Sequence, residues 1–414
     1  MTTIHIIGAG LSGLAAGLLL VEAGHTPIIH EAGPQAGGRC RSYFDAVLNT
    51  RIDNGNHLLL SGNRNAMRYL DLVGARHTMI GPAEPMFPYV DLSTGERWTL
   101  RPNRGKLPWW LFHSDRRVPG TKVMDYLEPI KLAWAGTDKT VGQVLDSSSV
   151  LYHRLWESLA VSALNVPAME GSARLFWAIV RQTLGAGGEA CLPLVPEQGL
   201  SESFIDPAIA YIEKRGGKVT LQRRLSRLQF SGEAICALEF GGETEMIDPS
   251  TPVVLAVPAP VAANLVPGVA APEAHSSILN LHFAVGTPKQ GPGFIGVVGG
   301  TAEWIFQKGS ILSVTVSAAD RLIDRPAEDL AVEVWSDLRR IYTLPEALPK
   351  WRVVKEKRAT FAATPAQARV RPGCRTRWQN LFLAGDWTDT GLPGTIEGSI
   401  QSGFAAARQI LKEG

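Results

Sequence analysis

The chain has 414 residues, 45% of them hydrophobic and 19% charged, with 41 Lys or Arg against 39 Asp or Glu. At roughly 150 residues per domain this length predicts two or three domains, and the apolar content excludes intrinsic disorder. A net charge of +2 argues against a dedicated nucleic-acid binder, which would carry a basic excess.

Residues 1–21 contain no Asp, Glu, Lys or Arg and superficially resemble a signal peptide. They lack its basic leader, and Gly8, Gly10 and Gly13 interrupt the apolar run. Ile4–Ile7 reads as a buried parallel strand, and the three glycines then form G-x-G-x-x-G ahead of a helix ending near Gly24. The first glycine allows a tight turn, the second lets backbone approach a pyrophosphate, and the third lets helix and strand pack closely. Free N–H groups in the first helical turn, around Ser12, would face the phosphates. A second strand ends at Glu31-Ala32 and places a carboxylate where an adenosine ribose would sit. Strand, glycines, helix, strand and acid in that order predict a dinucleotide site.

Further along, residues 97–122 carry seven Lys or Arg and one Asp around Trp98, Trp109, Trp110, Leu111 and Phe112. This net +6 with aromatic side chains suits an anionic membrane interface, and Pro102, Pro108 and Pro119 predict an irregular loop. Residues 215–240 alternate like a hairpin. Residues 251–260 form an apolar strand ending at proline, and six prolines within 249–272 forbid a spanning helix there. Residues 380–407 read as buried strand, glycine-rich loop and helix. Cys40, Cys191, Cys236 and Cys374 lie far apart without a C-x-x-C pair, which disfavours a disulfide framework and suits a reducing cytoplasm. The histidines show no metal-ligand spacing, so no metal site is expected.

Several of these segments resemble the FAD-dependent amine oxidase and phytoene desaturase superfamily. GPQAGGRCRS (33–42) is similar to its second glycine doublet, which implies that Gly37, Gly38 and Arg39 approach the flavin's phosphates and ribityl chain. RIDNGNHLLL (51–60) resembles the loop beside the isoalloxazine ring, implying Gly55, Asn56 and His57 as cofactor neighbours. NLFLAGDWTDTGLPGTIEGSIQSGFAAA (380–407) is similar to the C-terminal flavin motif. By that resemblance Gly385 and Asp386 meet the ribityl or phosphate region, and backbone of Gly394, Thr395, Ile396 and Glu397 meets the pyrimidine end. Leu225 falls where the family places an adenine-contacting residue. The implied fold is α/β: a Rossmann-like FAD-binding domain with a parallel sheet, assembled from about 1–60, 205–275 and 375–414. Residues 61–204 and 276–374 would form a mixed α+β substrate domain.

Within the superfamily, DNGNHLLLSGNRNAMRYLDLVGA (53–75), LWESLAVSALNVP (155–167) and the segment 297–320 resemble the hydroxysqualene dehydroxylases of squalene and hopanoid synthesis. The resemblance implies FAD and a long apolar isoprenoid substrate that loses a hydroxyl group reductively. Hydroxide leaves poorly, so the departing oxygen needs a proton donor. His57 is the first candidate because imidazole titrates near neutrality; Asp53, Asp389 and Glu157 follow. The motifs leave open a carotenoid-type desaturase, an amine oxidase, or a lipid carrier of the same fold. Only one dinucleotide cradle is present, so the donor that reduces FAD binds transiently or is another protein. A thirty-carbon chain gains on the order of 20 kcal/mol by leaving water. The expected location is therefore cytoplasmic, with 97–122 against the inner leaflet. No feature of the sequence specifies an oligomeric state.

Overall fold

The structure is a computed structural model describing residues 2–286 and 293–413. In chain order the strands used below begin with β1 (Thr3–Ile7), β2 (Thr26–His30), β3 (Phe87–Asp91), β4 (Arg97–Leu100), β5 (Lys218–Thr220), β6 (Leu225–Ser231), β7 (Ala234–Phe240) and β8 (Glu243–Met246). They continue with β9 (Val253–Leu255), β10 (His275–Ala284), β11 (Phe294–Val298), β12 (Trp304–Lys308), β13 (Ile311–Val316), β14 (Trp351–Phe361) and β15 (Leu381–Leu383). The helices packed on them are α1 (Leu11–Glu22), α2 (Arg64–Leu72), α3 (Ala327–Ile341) and α4 (Ile396–Glu413).

Short apolar runs from three distant parts of the chain pair as one parallel sheet, in the order β5-β2-β1-β9-β15. Strands covered on both faces need no polar alternation, which is why Ile4–Ile7 and Val253–Leu255 read as continuous apolar segments. Helix α1 is apolar around its whole circumference and buried from Leu11 to Val21, because it lies between this sheet and α4. The crossing is close: a Cβ on Gly403 of α4 would stand 2.0 Å from the Ser12 carbonyl oxygen. The antiparallel meander β6-β7-β8 packs on the sheet's other face, joining Leu228, Ile235 and Leu238 to Ile7 and Val253. The hairpin expected over 215–240 thus begins only at Leu225; residues 218–220 are an edge strand of the parallel sheet.

The second large sheet has the order β14-β10-β13-β12-β11-β3-β4. Period-two alternation divides its residues between two faces. Leu279, Leu281, Phe283, Val314 and Val316 pack with Leu330, Val334 and Trp335 of α3. The opposite face runs from Tyr89, Trp98, Trp304 and Phe306 at one side to Thr315, Asn280 and His282 at the other. Helix α2, assigned from sequence to the substrate part, packs through Ala66, Met67, Tyr69 and Leu70 with α1 and α4. Among the described residues no helix is long and apolar enough to cross a membrane.

Candidate functional site

The order of the parallel sheet reverses between β1 and β9, and ligands of open α/β sheets bind outside the carboxyl ends of strands at that point. Gly8 sits there with φ +107°, and a Cβ on it would lie 2.5 Å from the Ala256 oxygen beyond β9. A Cβ on Gly13 would approach the Gly8 oxygen to 1.9 Å. Gly10, in contrast, has nothing within 4 Å of its Cβ position, so open space lies against the backbone where a pyrophosphate is expected. The first turn of α1 carries no side-chain cap, leaving its N–H groups available.

The second glycine doublet folds onto this turn. The Gly37 N–H donates to the Ala9 oxygen (2.8 Å), and a Cβ on Gly38 would lie 3.6 Å from Gly10 Cα. Glu31 accepts from the Ala9 N–H (2.9 Å) and the Gly33 N–H (2.7 Å), which fixes its carboxylate. Ala32 is exposed beside it. The Arg223 N–H donates to the Glu31 oxygen (2.8 Å) and so brings Leu225, at the start of β6, alongside the same acid.

The carboxyl-terminal loop closes the site from the other side. Arg39 donates to Asp386 Oδ1 (2.7 Å) and to the Ala359 oxygen (2.6 Å). The Asp386 carboxylate beside it raises the guanidinium's pKa further. Gly385 donates to Ser402 Oγ (2.9 Å), which contacts Ser12 Oγ (3.2 Å), and a Cβ on Gly394 would lie 3.1 Å from Asp386 Oδ2. Thr395 Oγ1 accepts from the Gly398 N–H (3.1 Å) in the first turn of α4, which begins at Ile396. The Glu397 side chain turns away and caps α2, accepting from the N–H groups of Asn65 (3.0 Å) and Ala66 (2.8 Å).

Two residues escaped the sequence reading. Buried Arg371 holds the 385–394 loop by donating to the carbonyls of Leu392 (2.7 Å), Asp386 (3.1 Å) and Thr388. Burial lowers its pKa to about 10. A single arginine in a loop offered no pattern to find it by. Glu303 lies between β11 and β12, where its carboxylate accepts from the Ser317 N–H (2.7 Å). Burial pushes its pKa up to about 7. A lone acid within the apolar segment 297–306 was the signal available.

Of the four acid candidates, His57 and Asp53 are close enough for the carboxylate to raise the imidazole's pKa, but burial outweighs it. Burial pulls the His57 imidazole down to about 4, the reverse of the near-neutral titration that favoured it as proton donor. Asp53 is 4% exposed and fully engaged, accepting from Ser42 Oγ (2.6 Å), the Leu200 N–H (2.9 Å) and Lys308. Glu157 is half-buried and pairs with His153 (3.2 Å), and Asp389 is exposed and accepts from the Gly391 N–H. The loop before His57 joins the second sheet: Asn56 Nδ2 donates to Thr315 Oγ1 (3.1 Å), while Asn280 Nδ2 donates to the Asn54 oxygen (3.2 Å). Gly55 packs on Asn280, which would lie 3.1 Å from its Cβ. Asn56 Oδ1 is buried without a partner, an acceptor that a bound ligand could satisfy.

A further cluster is absent from the motifs. His5, His30 and Glu245 bring ligand atoms within 4.8 Å of one another, and the two rings approach at 3.2 Å. The carboxylate is already paired with Arg223 (3.1 Å), and desolvation keeps both imidazoles neutral, so the cluster is a hydrogen-bonded pair beneath a salt bridge.

A glycine cradle open at Gly10, the fixed carboxylate of Glu31, the Arg39 guanidinium and an unpartnered acceptor at Asn56 together fit FAD. Two apposed sheets meeting at that cradle define a flavin-dependent oxidoreductase. The family described as flavin containing amine oxidoreductase matches residues 11–287 and 299–411, and the chain belongs to it. A putative protoporphyrinogen oxidase from Exiguobacterium shares the fold, with a TM-score of 0.69, 17% identity and coverage of 100% and 99% of the two chains. Within the family the chain groups with the hydroxysqualene dehydroxylases. The Rhodopseudomonas palustris enzyme of that name is 49% identical over 100% of this chain and 99% of its own length. That of Sinorhizobium fredii is 47% identical over 99% and 98%.

Proposed function

We infer that the protein removes the hydroxyl group of hydroxysqualene reductively to give squalene, with FAD as its cofactor. The observation that carries this reading is the near-half identity over the full length to enzymes of that name. It favours dehydroxylation over the desaturation and amine oxidation that the motifs alone left open. FAD, when bound, supplies a hydride from its reduced form.

The rest is work for the chain's own residues. Gly10, Gly38, Glu31 and Arg39 would hold the dinucleotide, and Asn56 would meet it from the second sheet. The aromatic part of that sheet offers a dry apolar wall: Tyr89 stacks on Trp98 (5.5 Å) and meets Trp304 edge-on (5.5 Å), with Phe294 and Phe306 alongside. A polyprenyl chain lying on this wall would turn its one polar end toward Asn280, Thr315 and the loop 54–57. Glu303 precedes Trp304 in the chain, and burial pushes its carboxyl pKa up to about 7, so that part of it keeps a proton near neutral pH. We assign it the donation of that proton to the leaving hydroxyl. An allylic cation left by departing water is then shielded by the apolar wall from solvent capture.

The substrate's insolubility also supports peripheral contact with the membrane through 97–122, in modified form. Trp98, Trp110 and Leu111 are buried and belong to the core, whereas Leu107, Trp109 and Phe112 are exposed. The deciding experiment mixes photoreduced enzyme anaerobically with hydroxysqualene and follows flavin reoxidation together with squalene by mass spectrometry. Stoichiometric squalene is expected. No squalene, with oxidised enzyme instead bleached by phytoene or an amine, would reverse the assignment.

A further inference from the structure

The 3-10 helix Val123–Trp134 turns four large apolar side chains to solvent: Met124 is 70% exposed, Trp134 79%, and Leu127 and Ile130 43% each. At three residues per turn, side chains three apart eclipse, so Met124, Leu127 and Ile130 form one straight stripe, and Trp134 stands exposed at the end of the neighbouring row. The helix is anchored from behind. Pro129 and Leu132 are buried, the Val118 N–H donates to the Tyr126 hydroxyl (2.8 Å), and the Tyr126 ring meets Trp110 edge-on (5.3 Å). Trp110 belongs to the loop that exposes Leu107 (80%), Trp109 (47%) and Phe112 (75%). Two elements held to each other thus expose seven large apolar side chains, whereas scattered single ones are the rule on a soluble surface.

The loop beside this helix carries uncompensated positive charge, whereas the helix's own Lys131 pairs with Glu128 (3.4 Å). Residues 97–134 contain eight Lys or Arg against three Asp or Glu. Among the described residues, none of the seven basic groups of 97–122 is ion-paired; the guanidinium groups of Arg97, Arg104 and Arg117 donate to the carbonyls of Ile341, Ala83 and Thr121 instead. A backbone carbonyl orients a guanidinium without neutralising it.

We propose that the stripe Met124–Leu127–Ile130, with Trp134, Leu107, Trp109 and Phe112, is the surface that enters the interface of an anionic bilayer, the basic loop 97–122 beside it meeting lipid phosphates. This rests on the peripheral-membrane reading and moves its centre from the loop to the helix. Apolar side chains beside a loop of uncompensated cations match acyl chains beneath anionic headgroups. The buried side of the same elements, at Trp110, Leu111 and Leu132, shares one apolar cluster with Tyr89, Trp304 and Phe306.

The test is flotation of the full-length flavin-loaded protein with vesicles of phosphatidylcholine and phosphatidylglycerol in equal parts, against phosphatidylcholine alone. The wild type should float with the anionic vesicles. The variant Met124→Ser/Leu127→Ser/Ile130→Ser/Trp134→Ser should lose that binding at least tenfold, while its flavin spectrum and turnover of detergent-dispersed hydroxysqualene stay within twofold of wild type. Wild-type flotation of this variant, with loss only in Leu107→Ser/Trp109→Ser/Phe112→Ser, would confine contact to the loop and overturn the proposal. A wild type that fails to float but forms dimers abolished by the fourfold change would show the face to be a subunit interface, which also overturns it. Turnover in detergent tests the dehydroxylase assignment separately, so failure of either idea is recognisable on its own.

Discussion

Arg39 and Asp386, 347 residues apart in the chain, form an ion pair of 2.7 Å that ties the amino-terminal cradle to the carboxyl-terminal loop. Asp386 is 5% exposed, so its charge has little access to water and depends on this partner. Asp386→Ala leaves Arg39 the Ala359 carbonyl and the nearby Glu356 charge. We expect FAD affinity to fall at least about tenfold, equivalent to ~1.4 kcal/mol, measured by flavin fluorescence during titration of the apoprotein. Unchanged affinity would show that the pair serves folding alone.

Gly10 and Gly13 separate binding from folding. Alanine at Gly10 meets nothing within 4 Å of its new Cβ, so the apoprotein should melt within a few degrees of wild type, yet the methyl occupies phosphate space and flavin retention should collapse. Alanine at Gly13 must displace the Gly8 carbonyl from 1.9 Å, and overpacking of this kind costs about 1–3 kcal/mol or more. Its melting temperature should therefore fall even without cofactor. Equal melting curves for the two variants would contradict this assignment.

Glu303 sets a pH limit on turnover. Its pKa, raised to about 7 by burial, keeps the acid form populated below that value, so a proton-donating role requires activity to decline as pH rises through about 7. Glu303→Gln should lower kcat by about 10²–10⁴-fold, the usual range for general acid catalysis, and flatten that limb. A variant with wild-type kcat and the same pH profile would remove Glu303 from the reaction.

Three histidines make the fold acid-sensitive. Desolvation lowers His30 to about 3 and both His57 and His282 to about 4, from 6.5. Because the folded values are depressed, the unfolded chain binds more protons between these limits, and stability rises with pH across that window. The contribution is fully present above 6.5 and is lost as pH falls toward 4. Urea unfolding near pH 5 should take up about three protons from these groups. Replacing His282 by Gln should reduce that uptake by about one proton; an unchanged pH dependence would show that His282 is already charged in the fold.

Much of the cofactor half was legible in the sequence because its determinants are local. Gly8, Gly10 and Gly13 act within one turn, Glu31 ends the next strand, and α1 is apolar on every side because it is buried on every side. The net charge was legible too, as was its concentration in residues 97–122. Proton affinity was not, because it depends on neighbours from other strands. His57 looked suited to neutral pH by residue type, and burial removed that property; Glu303 looked unremarkable, and burial conferred it. The same holds for the apolar segments: Trp110 and Trp109 are adjacent and chemically identical, yet one packs against Tyr126 and the other meets solvent. Chain composition and spacing determined a flavin cradle and a basic aromatic segment. Only tertiary packing, through desolvation and the pairing of distant charges, decided which side chains ionise, which apolar ones meet solvent, and how Arg39 finds Asp386.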